Sequence, residues 1–164
     1  MKQINLSTKI TVYSYDECTE IEKKLIDAAK DATSNAYAPY SNFSVGAALL
    51  LENGQIITGN NQENAAYPSG LCAERTAVFY ANAKFPDQKV EALAIAAFYN
   101  GDFTADLTSP CGSCRQVFLE VESRYESDVR ILMYNRKNEV FVAESMRSLM
   151  PLNFDKKALD LTNQ

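Results

Sequence analysis

The spacing of apolar positions divides the chain into alternating helical and extended segments. Thr19 followed by Glu22 fits a capping box, and Ile21, Leu25, Ala28, Ala29 and Ala32 then recur at helical spacing. That pattern predicts a helix over roughly 19–36. The stretch NAYAPYSN at 35–42 breaks it with Pro39 and a Ser/Asn cluster, and reads as a loop. SVGAALLL at 44–51 and QIIT at 55–58 flank Asn53-Gly54, which predicts a hairpin closed by a tight two-residue turn. A second helix is expected over roughly 72–83. VEALAIAAF at 90–98 is apolar apart from Glu91, as suits a central strand buried on both faces. A third helix should start near Cys111 and reach about Arg124. VRILMY at 129–134 and VFV at 140–142 read as strands joined by the polar turn NRKN at 135–138, and a short helix near 145–150 should end at Pro151. Residues 1–15 carry only a weak alternation at Ile10 and Val12, and read as an extended arm. Helices between buried strands imply an α/β fold, a three-layer α/β/α arrangement with a mixed sheet of about five strands.

Length and charge narrow the function classes. A chain of 164 residues without repeat or linker is expected to form one domain over 1–164 with its own core. The longest apolar run, around 45–51, falls far short of the roughly 20 residues that a membrane span needs. The first ten residues are mixed in polarity and carry no secretion-type apolar segment, so a cytoplasmic location is expected, with no membrane partner. A formal net charge of −5 disfavours nucleic acid, whose phosphates call for a basic face. Small molecules are the expected partners.

The chain has four cysteines and no histidine, so any metal site must use thiolates. Without a secretion signal these cysteines are expected as thiols or metal ligands rather than disulfides. Cys111 and Cys114 lie three apart in the first turn of one helix, where their side chains point the same way. Cys72 opens another helix. Free N–H groups and the positive dipole end favour thiolates at both places. Three readings stand: a redox pair, a structural zinc site with Cys18 as fourth ligand, and a three-thiolate zinc site with one position left to water. Glu74 separates them. A structural zinc has no use for it, and a dithiol switch has none for Cys72. A catalytic zinc needs a proton carrier beside its water. Taken alone, a glutamate there is most often a solvated helix residue.

CAERTA at 72–77 and PCGSCRQ at 110–116 together resemble the cytidine deaminase family, in particular its small homotetrameric branch. There the zinc deaminase signature H-x-E…P-C-x-x-C has cysteine in place of histidine. APYSNFSVGAAL at 38–49, NQENAAY at 61–67 and LMPLNF at 149–154 extend the resemblance over roughly 35–154. The resemblance implies one Zn²⁺ per chain held by Cys72, Cys111 and Cys114. Glu74 would move protons from the zinc-activated water to the ring nitrogen and to the leaving ammonia. Asn61 and Glu63 would bind the ribose 3′-hydroxyl, Phe43 would pack on the nucleoside, and the backbone near Ala65 would contact the base. Phe154 would reach a neighbouring subunit's site. Arg75 would hydrogen-bond the cysteine sulfurs, offsetting the formal −1 charge of three thiolates on Zn²⁺. Arg115 is expected as a surface helix residue. The implied activity is hydrolytic deamination of cytidine and 2′-deoxycytidine in pyrimidine salvage. The alternatives are a related deaminase of another aminopyrimidine or aminopurine, and a non-catalytic zinc-binding assembly module. Segments 1–34 and 99–108 carry no family motif.

Overall fold

A computed structural model describes residues 1–159. In chain order the elements are β1 (Thr11–Ser14), α1 (Glu20–Ala32), β2 (Ser44–Leu51), β3 (Ile56–Asn60), α2 (Ala73–Lys84), β4 (Val90–Tyr99), β5 (Asp102–Phe103), α3 (Gly112–Tyr125), β6 (Arg130–Tyr134) and β7 (Glu139–Ala143). The sheet runs β1-β7-β6-β4-β2-β3, with β5 added beside β4. Among the strands of the described residues, only β4 and β6 pair in parallel. Leu25, Ile26 and Ala29 of α1 pack with Ala94, Ala96 and Leu132 on one face. Ala77 and Val78 of α2 and Phe118 of α3 pack with Leu49, Leu93 and Ile131 on the other. The three layers are those the sequence predicts.

Seven strands replace the expected five. The extra two are β5, too short to show a period, and β1, an edge strand paired only with β7. The expected arm is thus a strand over 11–14, and residues 1–10 have no regular structure. The Thr19/Glu22 capping box forms, and helix α1 ends at Ala32 in a 3₁₀ turn over Thr33–Asn35. Its buried face includes Ile26, whereas Ile21 lies exposed. The short helix near 145–150 is a 3₁₀ turn, Arg147–Leu149.

The chain contains two Asn-Gly pairs, and they make different turns. At Asn53-Gly54 the loop is three residues long. Gly54 N–H bonds the Leu51 carbonyl at 2.8 Å, Leu51 N–H bonds the Gln55 carbonyl at 2.9 Å, and of the pair only Gly54 has positive φ. The tight two-residue turn is at Asn100-Gly101, both with positive φ (53° and 84°), between β4 and β5.

Strand direction brings the functional segments together. β3 and β4 are both antiparallel to β2, so they run the same way and end at the same sheet edge. The chain leaves β3 towards α2, and leaves β4 through the short β5 hairpin towards α3; both helix N-termini meet at that end, where Cys72 and Cys111 come together. Gly59 lets α2 press close: a Cβ there would sit 2.6 Å from the Ala73 carbonyl oxygen and the Ala77 nitrogen. Among the described residues no helix is long and apolar enough to cross a membrane.

Candidate active site

Cys72 is the N-cap of α2, Cys111 is the N-cap of α3, and Cys114 lies in the first turn of α3. Neither N-cap side chain accepts from a backbone N–H of its own helix, so those N–H groups stay available to stabilise thiolates. The Sγ atoms of Cys72 and Cys111 are 3.7 Å apart, those of Cys111 and Cys114 3.6 Å, and all three lie within 4.8 Å of one another. Tetrahedral zinc with bonds of about 2.3 Å places its sulfurs about 3.8 Å apart, so the donor set fits that ion. Cys18 belongs to the opposite face of the sheet, packed with α1, with its thiol directed at the Ser14 carbonyl. A four-cysteine structural site is thereby ruled out.

The surroundings favour a thiolate at Cys72. Hydrogen bonding from Cys114 lowers the Cys72 pKa to about 5 despite burial, with Arg75 and Cys111 adding to the effect. Arg75 Nη2 lies 3.5 Å from Cys72 Sγ. The pairing with Cys72, and then burial, shifts the Cys114 thiol up. Glu74 lies in the first turn of α2 and is only 5% exposed. Burial raises its pKa, and the neighbouring Cys72 pushes the same way; its own N–H and the Cys114 thiol oppose them.

A cavity of about 520 Å³ opens onto Cys72, lined also by Tyr40, Asn61, Glu63, Tyr67 and Arg75 among others. Reciprocal backbone bonds of 2.9 Å between Gln62 and Leu71 close the 61–71 loop and set Asn61 and Glu63 beside Cys72. The Asn61 amide donates to the Phe43 carbonyl (2.9 Å) and accepts from Val45 N–H (2.8 Å). Glu63 accepts from the Ser41 hydroxyl and from the N–H groups of Tyr40 (2.9 Å) and Ser41 (3.3 Å). The Ser41 hydroxyl, followed by the Tyr40 N–H, holds its pKa below the usual carboxylate value.

Three expected contacts lie outside this cavity. Phe43 lines a neighbouring cavity of about 430 Å³ formed with segment 99–108, its ring centroid 5.9 Å from that of Tyr99. Ala65 is exposed in the bend after Glu63. The Phe154 side chain is exposed, and its carbonyl accepts from Gln116 (2.9 Å). Arg115 differs from its expected surface role. Its guanidinium bonds the carbonyls of Pro110 (2.8 Å) and Leu149 (2.9 Å), bracing the Cys111 loop against the C-terminal segment. Sequence reasoning also missed the edge-to-face pair of Tyr40 and Tyr67 at the cavity wall, 6.0 Å between centroids. Both tyrosines fall inside the motif segments, but nothing in the local pattern says that they meet.

Three cysteine sulfurs spaced for zinc, with a buried carboxyl beside them and a cavity opening onto Cys72, define a zinc-dependent hydrolase in an α/β/α fold. A family profile described as "Cytidine and deoxycytidylate deaminase zinc-binding region" matches residues 19–126, and the chain belongs to that family. The cytidine deaminase of Sporosarcina psychrophila is 40% identical over 137 residues, which is 84% of this chain and 93% of that protein. The cytidine deaminase of Halalkalibacterium halodurans is also 40% identical, over 71% of this chain and 81% of its own length. The crystal structure of cytidine deaminase from Burkholderia pseudomallei superposes with a TM-score of 0.69 at 39% identity, covering 84% of this chain and 100% of that one.

Proposed function

We propose that the protein hydrolyses cytidine and 2′-deoxycytidine to uridine and 2′-deoxyuridine with release of ammonia, as a zinc enzyme of pyrimidine salvage. The carrying observation is the buried Glu74 carboxyl set beside three sulfurs at zinc-binding spacing. Cys72, Cys111 and Cys114 would hold the ion, which would supply the Lewis acidity that makes water a nucleophile near neutral pH. Glu74 carries protons. Its raised pKa suits a carboxyl that must both accept and donate one. Arg75 offsets the excess negative charge of the sulfurs.

Asn61 and Glu63 recognise the sugar. An ionised carboxylate has about four lone-pair sites, and Glu63 already uses three of them on Tyr40 and Ser41. Asn61 keeps one N–H free after bonding Phe43. One hydroxyl, donating to Glu63 and accepting from Asn61, satisfies both. There is room for one hydroxyl, which the family resemblance makes the 3′-hydroxyl, with the 2′ position unread. Phe43 packs on the nucleoside and the backbone near Ala65 contacts the base. The exposure of Phe154 outside its own cavity supports a homotetramer in which Phe154 completes a neighbouring site. An active monomer in sedimentation at assay concentration would contradict that assembly.

The test is kcat/KM across a substrate panel. Cytidine and 2′-deoxycytidine should react comparably. Free cytosine and 3′-deoxycytidine should be poorer by roughly 10-fold or more, because Glu63 loses its donor. Nucleotides and single-stranded DNA should be rejected. Free cytosine or DNA matching cytidine would remove Asn61 and Glu63 from the sugar.

A further inference from the structure

We infer that Ser41 is a positioning residue for nucleoside binding, a hydroxyl that fixes Phe43 relative to Glu63. The inference rests on the proposed roles of those two residues. The Ser41 side chain donates to Glu63 Oε1 and accepts from the N–H of Phe43 at 3.0 Å. It is thus a single bridge between the carboxylate assigned to the sugar and the peptide of the aromatic residue assigned to the nucleoside. The other side of the same residue is tied down as well. The Phe43 carbonyl accepts from Asn61 at 2.9 Å, and the Phe43 ring lies against Tyr99. Asn42 between them takes positive φ (56°), with its N–H on the Ala38 carbonyl at 2.9 Å, and this sharp turn points Ser41 and the Phe43 N–H at each other.

The bonds are not equivalent. Glu63 Oε2 is held by two backbone N–H groups that no side-chain change removes. Loss of the Ser41 hydroxyl therefore leaves Glu63 anchored and frees the N–H of Phe43. The consequence falls on Phe43, which must be in place before substrate arrives if binding is not to include the entropy of ordering it. Ser41 touches neither the sulfurs nor Glu74, so its effect belongs to binding and not to the chemical step.

The experiment measures kcat and KM for cytidine in the zinc-loaded enzyme carrying Ser41→Ala, Ser41→Thr, Phe43→Ala, and Ser41→Ala with Phe43→Ala. Ser41→Ala should raise KM about 3- to 10-fold, the worth of one hydrogen bond, with kcat nearly unchanged. Ser41→Thr keeps the hydroxyl and should restore KM. A purely structural defect would instead lower the active fraction, and with it the apparent kcat, at constant KM. Ser41→Ala should add little in the Phe43→Ala background, because the group it fixes is gone. A wild-type KM in Ser41→Ala, or a full additional rise in the double variant, overturns the inference. If Phe43→Ala keeps the wild-type KM, Phe43 does not touch the nucleoside, and the inference falls with that assignment. Absence of turnover in the wild-type enzyme would overturn the deaminase reading itself.

Discussion

Glu74 at the start of α2 and Glu122 near the end of α3 are both buried, 5% and 4% exposed, and burial raises both carboxyl pKa values. Their surroundings differ. Glu122 accepts from three backbone N–H groups: Val129 at 3.0 Å, Met146 at 2.6 Å and Arg147 at 3.0 Å. It fastens the end of α3 to the start of β6 and to the segment after β7. Glu74 has no such set of donors. Its neighbours are the Cys72 and Cys114 sulfurs, and the 520 Å³ cavity opens onto Cys72. A buried acid surrounded by N–H donors is part of the scaffold, while one left beside the sulfurs is free to exchange a proton.

The contrast can be broken by substitution. The largest effect is expected at the sulfurs. Cys72→Ala should lose both bound zinc and turnover, whereas Cys18→Ser should keep one zinc per chain and full activity, as measured by metal analysis and ammonia release. Next comes Glu74→Gln, with turnover lower by at least roughly 10²–10⁴-fold. Its zinc content should be retained and its thermal midpoint not lowered, since the change removes a buried ionisable group. Glu122→Ala should do the reverse. Three buried N–H groups lose their acceptor, a cost of about 3 kcal/mol or more, or roughly 6–12 °C in Tm, with KM for cytidine unchanged in the folded enzyme. A kinetic defect in Glu122→Ala without a drop in Tm would erase the distinction.

The smallest effect concerns a third glutamate, at the cap of α1. Burial alone would raise the Glu22 pKa, but bonds from the Thr19 N–H and hydroxyl and from Arg130 outweigh it, and the pKa is lowered. A folded-state pKa below the unfolded one stabilises above the unfolded value of about 4.3 and is lost as pH falls through the folded value. Glu22→Gln, which keeps the capping box but loses the charge facing Arg130, should therefore cost roughly 0.2–1 kcal/mol at pH 7. The gap from wild type should close as pH falls through the folded-state value, as measured by denaturant unfolding.

What was legible in the sequence was local. The capping box, the amphipathic periods, the spacing of Cys111 and Cys114, and Glu74 two residues after Cys72 all depend on neighbours within one helical turn. The contacts that complete the site join distant segments. Ser41 meets Glu63 22 positions away, and Arg115 reaches the Leu149 carbonyl across 34. No periodicity encodes such pairs. The two Asn-Gly turns make the same point. The dipeptide allows positive φ at both residues, but the registers of the flanking strands decide whether the loop has two residues or three. Ile21 and Ile26 are both apolar, and only packing against the sheet decides that Ile26 is the one buried.

The most direct test is a single time course of cytidine absorbance and ammonia release, run on the enzyme as isolated, after chelation, and after zinc is restored. The expected result is one ammonia per cytidine consumed, loss of turnover on chelation, and recovery with about one zinc per chain. Turnover that persists in the zinc-free protein, or none in the zinc-loaded protein, would contradict a three-thiolate zinc deaminase.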